Sequence, residues 1–118
     1  MNFLYKVLNK EEWDSAKSVG YIETELDKQD GYVHLSSAKQ LALTLNLYFR
    51  ELTNVVLLEI DMENVKSKLT FEDDVSGKRS GKFPHLYGKL LITDIANDWN
   101  IERKGFSLPE KVLFEAEN

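Results

Sequence analysis

No cysteine occurs among the 118 residues. Disulfides, thiolate metal sites and cysteine nucleophiles are therefore excluded, and the absence fits a reducing compartment. Positive charge is in short supply: 15 Lys and Arg stand against 20 Asp and Glu, a formal net charge of −5. A protein that coats nucleic acid draws its affinity from a positive excess, so double-stranded nucleic acid is not an expected partner. No apolar run approaches the roughly 20 residues of a membrane span. Met1 leads into a polar, strand-like segment rather than the apolar stretch of a signal peptide. A cytoplasmic protein without a membrane partner is expected. Internal repeats, low-complexity tracts and Pro/Gly/Ser linkers are missing too. What remains, 42% hydrophobic and 30% charged residues, is ordinary for one globular domain over residues 1–118.

The pattern along the chain predicts mixed elements. Phe3 to Leu8 reads as a strand. Asn9 with Glu12 has the form of a helix start, Trp13, Ala16 and Lys17 follow at helical spacing, and Gly20 suits the residue past the helix end. The polar, acidic stretch from Tyr21 to Asp30 reads as a loop, and Gly31 to Leu35 as the next strand. Ser37 and Gln40 form a capping box, after which Leu41, Leu45, Tyr48 and Leu52 give a helix its apolar face. Val55 to Ile60 is the most hydrophobic run and the best candidate for a central strand. Asp61 can cap a turn reaching Val65, and Leu69 to Glu72 is a short strand. Asp73 to Lys82 carries turn signals at Ser76-Gly77 and Ser80-Gly81. Leu90 to Thr93 and Ile95 to Ile101 read as two strands or one bulged strand, and Pro109-Glu110 opens a short helix. Strands and helices do not alternate regularly, which favours α+β with a largely antiparallel sheet and a few flanking helices.

The only two histidines sit in related motifs, Gly31-Tyr32-Val33-His34-Leu35-Ser36 and Phe83-Pro84-His85-Leu86-Tyr87-Gly88. Side chains alternate across a strand. If the first motif is extended, Val33 and Leu35 face a core, while Tyr32, His34 and Ser36 present phenol, imidazole and hydroxyl together. In the second, Phe83, His85 and Tyr87 share a face, and Pro84 marks an edge or a turn. The bland alternative is that both histidines are structural, hydrogen-bonded residues. Tyr5, Trp13 and Trp99 read as core residues before ligand stackers. The basic set Lys78, Arg79 and Lys82 reads as a solvated loop, with contact to an anionic ligand as the alternative.

Several chemistries find no support. No His-Glu-x-x-His pair suggests zinc, so no metal is expected. No Walker loop, Gly-x-Gly-x-x-Gly turn or Gly-x-Ser-x-Gly elbow is present. Among the carboxylates Glu72 is the one to watch, on a strand just before the basic loop.

Leu4-Tyr5-Lys6, a helix bearing Trp13, and the two His-Leu motifs together resemble the small bacterial domain-of-unknown-function family 952, over nearly the whole chain. More distantly, Val33-His34-Leu35-Ser36 is similar to the Val-His-Leu-Ser segment of the RNA 2′-phosphotransferases, members of the ADP-ribosyltransferase superfamily. That resemblance implies a split antiparallel sheet gripping NAD in a cleft along Tyr32, His34 and Ser36. It implies catalytic roles for His34, His85 and Glu72, and ligand contacts from Tyr5, Lys6, Tyr32, Ser36, Phe83 and Tyr87. His34 would position a ribose or phosphate, Phe83 and Tyr87 would stack on a ring, and Glu72 would stabilise positive charge developing on the ribose. Lys6 stands where the superfamily commonly has a first-strand histidine. A nucleotide-like small molecule is the expected partner. The alternatives are a non-catalytic binding module and a protein-interaction domain.

Overall fold

The computed structural model describes residues 2–48, 53–73, 81–102 and 109–117. β1 (Phe3–Leu8) leads into α1 (Lys10–Val19), β2 (Tyr21–Ile22), α2 (Glu25–Asp30) and β3 (Val33–His34). A 3-10 turn (Ala38–Gln40) runs into α3 (Leu41–Tyr48), which is followed by β4 (Asn54–Asp61) and α4 (Met62–Val65). β5 (Leu69–Asp73), β6 (Lys82–Leu86), β7 (Leu90–Leu91), β8 (Ile95–Glu102) and α5 (Glu110–Glu117) complete the set. The result is a small α+β domain whose described strand pairs are all antiparallel. No described helix is long and apolar enough to cross a membrane.

Two three-stranded sheets carry the architecture, ordered β1-β4-β8 and β3-β6-β5, with β2 and β7 forming a small ladder apart. Val55 to Ile60 lies in the central strand of the first sheet, and alternation explains why it is apolar at every position but Glu59. Val56, Leu58 and Ile60 join Leu4, Leu8, Trp13 and Leu86 in one core cluster. Val55 and Leu57 join Tyr5, Val7, Leu41, Leu45 and Val112 in a second cluster on the other face. A strand buried on both faces has no need of a polar period.

The capping signals hold where they were read. Asn9 Oδ1 accepts the Glu12 amide at 2.7 Å and Glu12 returns the bond to the Asn9 amide at 2.9 Å. Gly20 ends α1 with φ +95°. Gln40 Oε1 accepts the Ser37 amide at 3.0 Å, and Asp61 accepts the Glu63 amide at 3.0 Å. Leu52, from the expected face of α3, lies outside the described residues, as do Ser76-Gly77, Ser80, Lys78 and Arg79 of the basic loop. Lys82 is described and pairs with Asp73 at 3.2 Å.

Four expectations need correction. The stretch from Tyr21 to Asp30 is no loop: it holds β2 and α2. α2 starts at a reciprocal cap between Thr24 and Asp27, and its one buried residue is Asp27. A six-residue helix whose buried residue is polar shows no apolar stripe. The following strand is shorter than expected, because Gly31 is spent as the left-handed cap of α2 at φ +82°. Leu90 to Thr93 is a strand only at Leu90–Leu91 and then turns through a 3-10 segment. Pro84 lies in β6, the middle strand of its sheet, not at an edge. The ladder explains why this is tolerated. Pro84 faces β3 where that strand ends, and its carbonyl accepts the Leu35 amide at 3.1 Å. The amide hydrogen that proline lacks would have pointed to Leu35, beyond the last pair of β3.

Candidate functional site

Among the described residues one isolated backbone bridge links the two sheets. Tyr5 of β1 and Ser36, just past β3, exchange both backbone hydrogen bonds at 2.8 Å. Beside this junction lies a cavity of about 260 Å³. Tyr5, Lys6 and Val7 line it from β1, and His34, Ser36 and Thr44 from the opposite side. Ser36 Oγ and Thr44 Oγ1 are 2.7 Å apart, so α3 steadies the hydroxyl of Ser36. Glu12, Thr24, Glu25 and Leu26, at the starts of α1 and α2, complete the wall.

Next to the cavity Asp27 gathers a dense set of donors. Its Oδ1 accepts Lys6 Nζ at 2.9 Å, the His34 amide at 3.0 Å and His34 Nδ1 at 2.6 Å. Its Oδ2 accepts the Thr24 amide at 3.0 Å. Burial opposes ionisation of this carboxyl. The Lys6 ammonium and the bonds from His34 and Thr24 outweigh burial and hold Asp27 well below the usual carboxylate range. The other ring nitrogen of His34, Nε2, faces Asp30 Oδ2 at 2.8 Å.

A second cluster leans on the first. His34 and His85 are direct partners across β3 and β6. Tyr32 stacks on His85 with ring centroids 3.9 Å apart, and its ring lies 4.5 Å from His34 and 5.5 Å from Tyr87. His85 Nδ1 donates to Glu72 Oε1 at 2.9 Å, and the Tyr87 hydroxyl donates to the same oxygen. The bonds from Tyr87 and His85 lower Glu72 below the ordinary carboxylate range, and the bond to Glu72 raises the Tyr87 phenol. Each histidine is thus backed by a carboxylate at Nδ1, the arrangement that fixes an imidazole's orientation and proton.

The chain matches the model of a family described as "Protein of unknown function (DUF952)" over residues 7–97. It belongs to that family. Among solved structures it is similar to the crystal structure of protein CC0527 from Caulobacter crescentus, at 32% identity. The alignment covers 97% of this chain and 98% of that one, with a TM-score of 0.79. The solution NMR structure of the same protein matches at 32% identity over 100% of both chains, with a TM-score of 0.77. No curated protein matches. The family assignment and the fold therefore agree, and neither carries an activity with it.

The residues singled out from the sequence fall into two groups. Tyr5, Lys6, His34 and Ser36 come together around the cavity. Tyr32, His85, Tyr87 and Glu72 form the adjoining stack and do not line it. Phe83, two residues before His85 on β6, is 1% exposed and does not line the cavity. Sequence reasoning missed Asp27, Asp30 and Thr44. It also missed Glu59, which is 0% exposed and accepts the Tyr5 hydroxyl at 2.8 Å behind the cavity wall. The Thr24-x-x-Asp27 spacing was the signal available for Asp27, a capping pattern with Asp in the place of Glu. Among the described residues, no three His, Asp or Glu side chains gather as a metal site.

Proposed function

We propose that the cavity binds NAD or a related ADP-ribosyl compound, in an ADP-ribosyltransferase-like cleft opened where the two sheets part. The observation that carries this reading is the Tyr5–Ser36 junction. Among the described residues a single backbone bridge links the sheets, and polar side chains from both sides surround the cavity beside it. At about 260 Å³ the cavity sits just below the range of roughly 300–1,000 Å³ for drug-sized ligands. It suits a ring and its sugar, with the rest of a dinucleotide running over the rim.

Charge points to which end enters. Lys6 is neutralised by Asp27, and Glu12 and Glu25 add negative charge to the wall. A cationic pyridinium ring is favoured there over a terminal phosphate. His34, Ser36 and Thr44 supply hydrogen bonds for ribose hydroxyls, and the stacked Tyr32–His85 pair, with Tyr87 tilted against Tyr32, offers an aromatic flank. Glu72, tied to His85 and Tyr87, is the acid nearest that flank for opposing positive charge on the sugar. A second reading, a binding module without turnover, is favoured by one contact. The cation at the first-strand position, Lys6, is already committed to Asp27 at 2.9 Å.

An amide chemical-shift titration with NAD, ADP-ribose and a 2′-phosphorylated nucleotide tests the reading. Saturable shifts at Tyr5 to Val7 and His34 to Ser37, strongest with NAD, are expected. Silence with all three ligands refutes it. Nicotinamide release that disappears in His34→Ala separates an enzyme from a module.

A further inference from the structure

Asp27 has no part in the ligand contacts just described, yet no other acid in the described structure gathers so many donors near the cavity. We propose that Asp27 is the positioning residue of the cleft, fixing the orientation of His34 and holding a proton on its Nδ1. The inference rests on the cleft reading for its use, though its geometry stands apart from any ligand.

One carboxylate oxygen, Oδ1, takes two bonds from the same residue: the His34 amide at 3.0 Å and His34 Nδ1 at 2.6 Å. Rotating the ring away gives up the second bond while the first holds the backbone in place. An ionised carboxylate only accepts, so Nδ1 must be the donor. The low carboxyl pKa of Asp27 keeps it ionised. The carboxylate is itself anchored from two directions, by Lys6 Nζ at 2.9 Å on β1 and by the Thr24 amide at 3.0 Å at the start of α2. Asp27 cannot follow the ring, so the ring follows Asp27.

Nε2 faces a second carboxylate and, by the same rule, donates to it while Asp30 is ionised, but that contact is the more exposed of the two. Its partner, Asp30 Oδ2 at 2.8 Å, is the last residue of α2, and its side chain is 15% exposed against 1% for Asp27. Asp30 is the partner a ribose hydroxyl can replace, while Asp27 is the one that stays. A buried ion pair serving Lys6 alone would need neither bond to His34. The contacts of Asp27 with Lys6 and of its neighbours with the ring, from Tyr32 and from His85 across the ladder, complete the surroundings of the imidazole.

Long-range proton–nitrogen spectra of the full chain, labelled in its histidine rings, test this directly. The wild type is expected to show His34 Nδ1 as a protonated, pyrrole-type nitrogen. Asp30→Asn should alter the Nε2 signal and leave Nδ1 protonated. Asp27→Asn should remove the Nδ1 signature in a chain whose amide spectrum stays dispersed, and weaken NAD binding by about tenfold or more. A pyridine-type Nδ1 in the wild type overturns the proposal, as do unchanged His34 nitrogens in Asp27→Asn. The wild-type and Asp30→Asn spectra locate the proton even if Asp27→Asn does not fold. Absence of NAD binding in the wild type would remove the ligand assignment and leave the nitrogen assignment intact, so the two failures are told apart.

Discussion

Replacing Tyr5 with Phe removes one oxygen from a row of side chains that crosses the first sheet. Tyr5 pairs with Glu59 across β1 and β4, and Glu59 pairs with Asn97 across β4 and β8. The Glu59 carboxyl, 0% exposed, accepts the Tyr5 hydroxyl at 2.8 Å, Asn97 Nδ2 at 2.9 Å and Lys111 Nζ at 2.7 Å. The substitution keeps the ring in its core cluster and takes away one of these three donors. A buried hydrogen bond to a charged partner contributes about 1.5–3 kcal/mol, and relief of the hydroxyl's own desolvation offsets part of it, leaving a loss of about 2 kcal/mol. At about 2.1 cal/mol/K of unfolding entropy per residue, a chain of 118 residues loses about 4 °C per kcal/mol, so the melting temperature should fall by about 8 °C. Differential scanning calorimetry at neutral pH measures this directly. A double-mutant cycle with Glu59→Gln should return a coupling energy of about 1 kcal/mol or more. The same bond predicts an alkaline limb. Burial first, then the bond and charge of Glu59, push the Tyr5 phenol above its ordinary value. The unfolded chain therefore releases that proton near about pH 10 while the folded chain holds it, and stability falls as pH rises from there. Tyr5→Phe should flatten that limb. A variant that melts within about 2 °C of the wild type, with its alkaline limb unchanged, would refute the reasoning.

The acid side is governed by Asp27. Its folded carboxyl lies below the ordinary range, so its contribution is present above the unfolded value of about 3.9 and is lost as pH falls below it. Asp27→Asn should flatten that acid limb in pH-dependent urea unfolding, and at neutral pH it should cost about 3–5 kcal/mol by taking the Asp27 counter-charge from buried Lys6. Leu58→Ala, at a 0% exposed site in the middle of β4, should lower stability by about 3 kcal/mol, seen as a lower urea midpoint at unchanged slope. Gly31→Ala should cost about 1–2 kcal/mol from the left-handed backbone alone, because a Cβ there would meet nothing within 4 Å. Gly31→Asn should recover part of that loss in the same assay, and equal stability of both variants with the wild type would contradict the capping role.

What the sequence disclosed followed the strength of local rules. Val55 to Ile60 could be read as the central strand because burial on both faces leaves five apolar residues out of six there, Glu59 being the exception. Asn9 with Glu12 marked α1, since a reciprocal cap has fixed spacing. The columns Tyr32-His34-Ser36 and Phe83-His85-Tyr87 could be read from strand alternation. Tyr32, His34, His85 and Tyr87 of these columns do come into ring contact, with His34 opposite His85, while Ser36 lines the cavity and Phe83 does not. α2 escaped because its one buried residue is an acid, so no periodic stripe announces it. With it went Asp27 and Asp30, seven and four residues before His34, the two carboxylates that hold its ring. Pro84 misled because a proline excludes itself from a ladder only where a partner carbonyl is waiting. Here the missing amide faces Leu35, one residue beyond the last pair of β3, so no paired rung of that strand is lost.

β1 explains why these acids stand where they do. Its alternate residues face opposite core clusters: Tyr5 and Val7 one way, Leu4 and Leu8 the other. Apolar side chains satisfy that role at four of the strand's six positions, counting Phe3 at the margin of the second cluster. At Tyr5 and Lys6, which border the cavity, the strand instead carries polar groups. Each is answered by a nearly buried acid, Glu59 on one face and Asp27 on the other. Burying ionised groups is a weak way to gain stability, since well-packed apolar residues of the same volume often do better. Two such pairings on adjacent residues, on opposite faces of one strand and beside one cavity, are poorly explained by folding alone. They are accounted for if the wall formed by Tyr5 and Lys6 must keep its polar atoms at fixed places, which is what a binding cleft requires of the side chains that line it.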